Sequence, residues 1–103
     1  MNNLQIIDHR EVLGKDFKIY GDADNPLFKA DDVAKWIEHS NASVMLNSVD
    51  EEEKMLLQVG TLNNSYSAWF LTENGLYEVL MQSRKPIAKQ FKREVKKILK
   101  SIR

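Results

Sequence analysis

PIAKQFKREVKKILKSI, which runs from Pro86 to Ile102, is the most regular segment of the chain. At about 100° per residue, its apolar side chains fall within an arc of about 120°. These apolar positions are Ile87, Phe91, Val95, Ile98, Leu99 and Ile102. The opposite side is cationic and carries Lys89, Lys92, Arg93, Lys96, Lys97, Lys100 and Arg103. Because proline suits the first turn of a helix, the segment predicts one long amphipathic helix over residues 86–102 that packs by its apolar stripe.

The residues before this helix include several predicted strands. Apolar clusters in residues 4–20, broken at Gly14-Lys15-Asp16, indicate two strands joined by a tight turn. The turn-forming residues 21–26 predict a second hairpin. Residues 61–67 are predicted as a turn between two further short strands.

Three helices are expected ahead of the last one. The first is capped by Asp31 or Asp32 and runs to His39. A second, very short helix spans residues 43–46, and a third begins after Thr72 as its cap. Four aromatic residues on the apolar faces of these elements are expected in the core: Trp36, Trp69, Phe70 and Phe91. The predicted fold class is α+β, with a small antiparallel sheet or sheets and about four helices.

The composition indicates one small compact domain. With 103 residues, of which 43% are hydrophobic, the chain can bury a sufficient core, and a single domain is predicted over residues 1–103. The absence of cysteine excludes disulfides, thiolate zinc sites and a cysteine nucleophile. The chain has no long apolar run and no amino-terminal signal pattern, so neither a membrane span nor secretion is predicted.

The polar residues form no recognisable catalytic or metal-binding pattern. The histidines, His9 and His39, lack partners at ligand spacing. The acidic run Asp50–Glu53 is contiguous, whereas a calcium loop alternates its ligands, so we interpret the run as a solvated loop. The four glycines are scattered and form no phosphate-binding loop. We therefore expect no enzyme activity, no metal and no cofactor.

Charge is distributed unevenly along the chain, although the net charge is zero. Residues 1–81 carry six basic and fourteen acidic groups, a net of −8, whereas residues 82–103 carry nine basic groups and one acidic group, a net of +8. The basic segment either binds an anionic partner or pairs with the acidic body. Its helical pattern favours the first explanation, because cations four residues apart repel one another and weaken an isolated helix.

Among anionic partners, nucleic acid fits the cationic helix best. Binding to an anionic membrane is not favoured, because the apolar face of the helix is needed to cover a small core. The repeated phosphates of DNA match a cationic stripe about four turns long and require no base-specific side chain. The candidate phosphate contacts are Arg84, Lys85, Lys89, Lys92, Arg93, Lys96, Lys97 and Lys100.

The helix pair predicted within residues 31–48 loosely resembles a helix-turn-helix. Residues 30–53 carry one basic and seven acidic groups, a net of −6, so a duplex would repel most of this surface. Only the neutral stretch 41–47 could approach base edges, with Asn41 and Ser43 as the candidate contacts. A core-packing helix pair with a polar turn is the favoured interpretation.

Three stretches resemble the N-terminal domain of the BRO family, which is found in large DNA viruses and in phage and prophage antirepressors. The first is FKADDVAKWIEHSN (Phe28–Asn41), similar to the family's aromatic residue, Asp-Val-Ala helix and Ser-Asn turn. The second is VDEEEK (Val49–Lys54). The third is LTENGLY (Leu71–Tyr77), followed by SRKP (Ser83–Pro86) and the last helix up to a closing SIR (Ser101–Arg103).

The resemblance implies a small α+β DNA-binding domain of a prophage regulatory protein, located in the cytoplasm of a bacterial host cell. Beside Asn41 and Ser43, we take the turn Asn63-Asn64-Ser65-Tyr66 as a further candidate for base contacts. Glu94 and Lys100 depart from the family, where many members have tryptophan and proline, so the last helix is expected to run without interruption. Members commonly continue into a separate C-terminal domain, which we expect to be absent from this chain, as in an excised domain or a short homologue.

Two functions other than DNA binding remain open. An antirepressor can act by sequestering a repressor protein, and the acidic body would then mimic the charge of DNA. A purely structural domain that helps a longer protein to assemble is the other alternative. The expected partners are therefore double-stranded DNA or a repressor protein, with a homo-oligomer also open.

Overall fold

The computed structural model describes residues 4–103, which form one antiparallel five-stranded sheet and four α-helices. The strands are β1 (Ile6–Val12), β2 (Lys15–Gly21), β3 (Pro26–Lys29), β4 (Lys54–Thr61) and β5 (Asn64–Thr72). The helices are α1 (Ala30–Trp36), α2 (Ala42–Leu46), α3 (Glu73–Gln82) and α4 (Pro86–Ile102). Across the sheet the strands follow the order β1-β2-β3-β5-β4. The predicted α+β class and the long last helix are confirmed.

The first hairpin turns one residue earlier than its sequence suggests. Val12 pairs with Lys15, so the turn consists of Leu13 and Gly14, both with positive φ (52° and 77°). Two consecutive residues with positive φ define a turn whose twist matches that of the strands. Lys15 and Asp16, predicted to belong to the turn, therefore lie in β2.

The β4–β5 hairpin is longer than predicted, and the expected turn over residues 61–67 is wrong. Thr61 pairs with Asn64, so only Leu62 and Asn63 form the turn. Residues 64–67 are polar because both faces of this part of β5 are exposed, and not because the chain leaves the sheet.

Thr72 is confirmed as the cap of α3, whereas the predicted cap of α1, Asp31 or Asp32, is wrong. The Asn41 side chain accepts from the backbone N–H of Val44 at the start of α2, and the Thr72 hydroxyl accepts from Gly75 N–H at the start of α3. Asp31 and Asp32 are not caps. They lie in the first turn of α1, which begins directly after β3 with no side-chain cap, and there their charges favour the helix dipole.

Two further boundaries differ from prediction. α1 ends at Trp36 and not at His39, because Glu38 has a positive φ of 57°. The acidic run forms a single 3-10 turn over Glu51–Glu53. Glu53 is only half-exposed, and its carboxylate accepts a hydrogen bond from the Thr72 hydroxyl.

The helices cover one face of the sheet and form the main core with it. Trp36 is central to this core: its ring stacks on that of Phe91 with centroids 5.3 Å apart, and its Nε1–H donates to the carbonyl of Asp16 at 2.8 Å. A smaller cluster of Tyr20, Ala68 and Phe70 lies apart from it.

Three of the four aromatic residues expected in the core are fully buried: Trp36, Phe70 and Phe91. Trp69 is the exception, with 41% of its surface exposed. It lies on the β4–β5 hairpin beside Leu56, which is itself 54% exposed. Within residues 4–103, no helix combines the length and apolar character needed to cross a membrane.

Candidate nucleic-acid interface

α4 is held against the body by its apolar stripe and at both ends. Phe91, Val95 and Leu99 are buried against the core. Before the helix, Lys85 Nζ donates to the backbone carbonyl of Glu38. After it, the Arg103 guanidinium contacts the Glu73 carboxylate and donates to the carbonyl of Ala23 at 3.1 Å. The rotation of the helix about its own axis is therefore fixed, and with it the direction of its polar face.

The polar face of α4 brings six of the predicted residues together. Five are exposed and Lys92 is half-buried. The six are Lys89, Lys92, Arg93, Lys96, Lys97 and Lys100. From Lys89 to Lys100 the helix rises about 17 Å at 1.5 Å per residue. The cationic face is thus a continuous stripe on one rigid element.

Most of these cations have no acidic partner within the described part of the chain. Lys97 pairs with Glu94 of the same helix at 3.4 Å, and Lys96 Nζ lies 5.8 Å from the centre of the Tyr77 ring. For residues 4–103, the structure shows neither a hydrogen bond nor an ion pair from the side chains of Lys89, Lys92, Arg93, Lys96 and Lys100. Arg103 is the one cation of the carboxyl-terminal segment paired with the acidic body in this part of the chain. Pairing with the body therefore does not account for the cationic face.

Arg84 and Lys85 lie in the connection between α3 and α4, where they border a shallow groove of about 400 Å³. The groove has an apolar floor and a polar rim. Its lining consists of Ile37, His39, Val44, Met45, Ser48, Val79, Gln82, Ser83, Arg84 and Lys85. The connection thereby brings the two cations next to α2. The sequence did not predict this proximity. One sequence feature pointed to this surface, because Val44 is an apolar residue within a stretch of capping residues. In the structure the Val44 side chain is 55% exposed.

Asn41 and Ser43 lie between His39 and Val44, two residues that line this groove. Both are exposed. The Oδ1 atom of Asn41 accepts from Val44 N–H at 3.1 Å, and its own backbone N–H donates to Nδ1 of His39 at 3.0 Å. The side-chain carbonyl of Asn41 is therefore engaged in the cap, whereas its amide nitrogen is available as a donor.

The predicted turn Asn63-Asn64-Ser65-Tyr66 lies near the tip of the β4–β5 hairpin, where Asn63 belongs to the turn and the other three residues belong to β5. The Tyr66 hydroxyl accepts from Lys29 Nζ at 2.6 Å, and the same ammonium lies 4.8 Å from the centre of the ring. This hydrogen bond raises the pKa of Lys29. Because a side chain of β3 holds Tyr66 in place, the segment 63–66 belongs to the sheet and does not lie on α4, the helix that carries the cations.

A separate acidic surface lies where α3 meets the 3-10 turn. Burial of the Glu78 carboxyl, with the neighbouring charges of Asp50 and Glu53, raises the pKa of Glu78. One carboxyl oxygen of Glu78 has no hydrogen-bond partner among the described residues 4–103. Among residues 4–103, no three His, Asp or Glu side chains form a group that could hold a metal ion.

One comparison with known proteins gives a match. The family model described as BRO family, N-terminal domain, matches residues 16–100 of the chain. The match begins in β2 and extends almost to the end of α4. No curated protein and no solved structure matches the chain.

Proposed function

Because the chain belongs to the BRO family through its N-terminal domain, we propose that it is the DNA-binding domain of a prophage antirepressor-like or transcription-regulator-like protein. The family suggests an antirepressor or DNA-binding role of this general kind. The cationic face of α4 is the observation that carries the proposal, because within residues 4–103 five of its six cations have no acidic partner. This function would place the protein in the cytoplasm of a bacterial host.

The dimensions of α4 suit a phosphate backbone. B-DNA carries one phosphate charge per about 1.7 Å of its axis when both strands are counted, so a stripe of about 17 Å lies alongside about ten phosphates, of which those facing the helix are within its reach. Five to six phosphate contacts correspond to a log-log salt slope of about −5. Such contacts position the protein on a duplex but carry no sequence information.

Base contacts would come from the groove side of the interface. Arg84 and Lys85 border the groove and continue the cationic surface toward α2. Asn41 donates from its amide nitrogen alone, because its carbonyl caps α2. It would therefore favour a base acceptor such as guanine O6 or N7, and could not make the bidentate amide contact that reads adenine. The Ser43 hydroxyl could donate or accept.

The acidic surface supports one alternative function. Asp50, Glu51 and Glu52 are exposed beside Glu78, on a part of the molecule that carries no cation of α4. A repressor with a basic DNA-binding face would be attracted to such a surface, and the domain would then sequester the repressor without contacting DNA.

A salt titration tests the proposal. The purified chain is titrated against a fluorescent mixed-sequence duplex at several salt concentrations, with anisotropy as the readout. We expect binding that weakens steeply with salt, with a slope of about −5. An absence of binding even at low salt would refute DNA recognition by this domain and favour the repressor-binding alternative.

A further inference from the structure

The β4–β5 hairpin projects beyond the rest of the sheet. β3 pairs with β5 at Phe70–Thr72 alone, whereas β4 pairs with β5 from Lys54 to Thr61. The ribbon formed by residues 56–69, here called the projecting ribbon, therefore has no third strand of residues 4–103 beside it. β4 is also one of the two edge strands of the sheet.

The two edge strands differ in how they are protected against pairing with another chain. β1 carries four ionisable residues in succession, Asp8 to Glu11, and its register is irregular between Ile6 and Asp8. Charged side chains and bulges are the usual means of preventing edge-to-edge pairing. β4 has neither along its length: its single charged residue is Lys54, at its start.

The projecting ribbon is also uncharged and apolar. No charged residue occurs from residue 55 to residue 72, in a chain of which 29% is charged. Exposed large hydrophobic side chains are concentrated on the ribbon: Leu56, Leu62, Tyr66 and Trp69. Depletion of charge with enrichment of Trp and Tyr is typical of the core of a protein–protein interface, whereas DNA interfaces are strongly positive. The ribbon thus has the composition of a surface that another protein covers.

We propose that β4 pairs antiparallel with β4 of a second copy of this chain, about a twofold axis at Leu57. In this register Leu57 lies opposite its own copy, and Met55 lies opposite Val59 of the second copy. The pairing continues the apolar row that Met55, Leu57 and Val59 already form with β5, where their partners are Phe70, Ala68 and Tyr66. The two sheets become one sheet of ten strands.

The charge pattern of β4 is compatible with a second copy as the partner and favours the antiparallel direction of pairing. Because β4 is neutral beyond Lys54, two copies bring no like charges together when they run antiparallel, and each Lys54 lies opposite Gly60 of the other copy. A parallel arrangement would place the two Lys54 side chains next to each other, and like charges directly opposite are destabilising. The interface does not use the cations of α4, so it does not depend on the proposed DNA binding.

The absence of cysteine allows a direct test by single substitutions. Residues directly opposite in antiparallel strands have Cβ atoms about 4.5–5.5 Å apart, which a small backbone adjustment brings within disulfide range. Leu57→Cys is therefore expected to form an intermolecular disulfide rapidly under mild oxidation. Gln58→Cys would face its own copy only diagonally, about 7–8 Å away, and is expected to link slowly. Ile6→Cys, at the protected β1 edge, is the second control.

The mass of the unmodified chain gives an independent measurement. Light scattering or sedimentation is expected to show a dimer that dissociates on dilution. Leu56→Lys is expected to abolish this dimer, and Ile6→Lys, at a position of similar exposure (48% against 54%), to leave it intact. A monomeric mass at all concentrations, or disulfide formation by Leu57→Cys no faster than by Ile6→Cys, would overturn the proposal.

Discussion

Replacement of Lys92, Arg93 and Lys96 by glutamine isolates the contribution of the α4 face to DNA binding. None of the three side chains forms a hydrogen bond or an ion pair within the described part of the chain. The substitutions relieve repulsion between like charges four residues apart, which offsets the loss of the contact between Lys96 and the Tyr77 ring, so the stability of the protein should change little. A loss of binding would then not arise from unfolding, and the thermal midpoint of the variant checks this.

The expected magnitude follows from the number of contacts removed. Each phosphate contact contributes about 0.9 to the log-log salt slope, so three contacts flatten it by about 2.7. If counterion release accounts for the whole contribution of these contacts, the affinities of the variant and of the unmodified chain become equal near 1 M salt. Over the tenfold decrease to 0.1 M salt, a slope difference of about 2.7 makes the variant bind about 500-fold more weakly. The loss should be similar for all DNA sequences, because phosphate contacts do not distinguish bases.

The assay is anisotropy with a fluorescent duplex over a series of salt concentrations, and the control removes the same charge elsewhere. Lys15, Lys18 and Lys35 lie on β2 and α1 and not on α4, and Lys15 and Lys18 form surface ion pairs with Glu38 and Asp16. Their joint replacement by glutamine lowers the net charge equally but should leave the salt slope unchanged. An unchanged slope in the α4 variant, or an equal loss in the control, would refute a specific role for this face.

Three further predictions concern the fold. Phe91→Ala should lower the free energy of unfolding by about 3–5 kcal/mol in a denaturant titration, because Phe91 is fully buried and stacks on Trp36. Gly75→Ala should destabilise the protein in the same assay: a Cβ there would lie 2.5 Å from the carbonyl oxygen of Glu53, and an overpacking cost of about 1–3 kcal/mol exceeds the gain in helix propensity of about 1 kcal/mol. Glu78→Gln should be more stable than the unmodified chain at neutral pH, since a carboxyl pKa raised on folding makes the charged form destabilising above the unfolded pKa. Unfolding measured across pH should show the difference vanish in acid, and a constant difference would contradict this explanation.

Local signals predicted much of the fold and the main element of the candidate site. The helix over residues 86–102 follows from the spacing of its apolar residues and from Pro86, and both depend on neighbours within a few positions. The Thr72 and Asn41 caps are local in the same sense. The predicted phosphate contacts of α4 share one face because a helix places them there, whatever the rest of the chain does.

The tertiary structure decided what depends on distant neighbours. Trp69 is a residue type usually found in the core, but it is exposed because the helices that cover the sheet do not extend over it. The residues near Trp69 in sequence contain no signal for where the helices end. Asp31 and Asp32 were predicted as caps, but β3 continues directly into α1 and leaves no capping position for them. The meeting of Arg84 and Lys85 with α2 likewise depends on how the end of α3 packs beside α2. Sequence by itself therefore determined where most helices and strands form and which of their faces are polar. Packing determined which surfaces remain uncovered, because exposure is a property of the assembled layers.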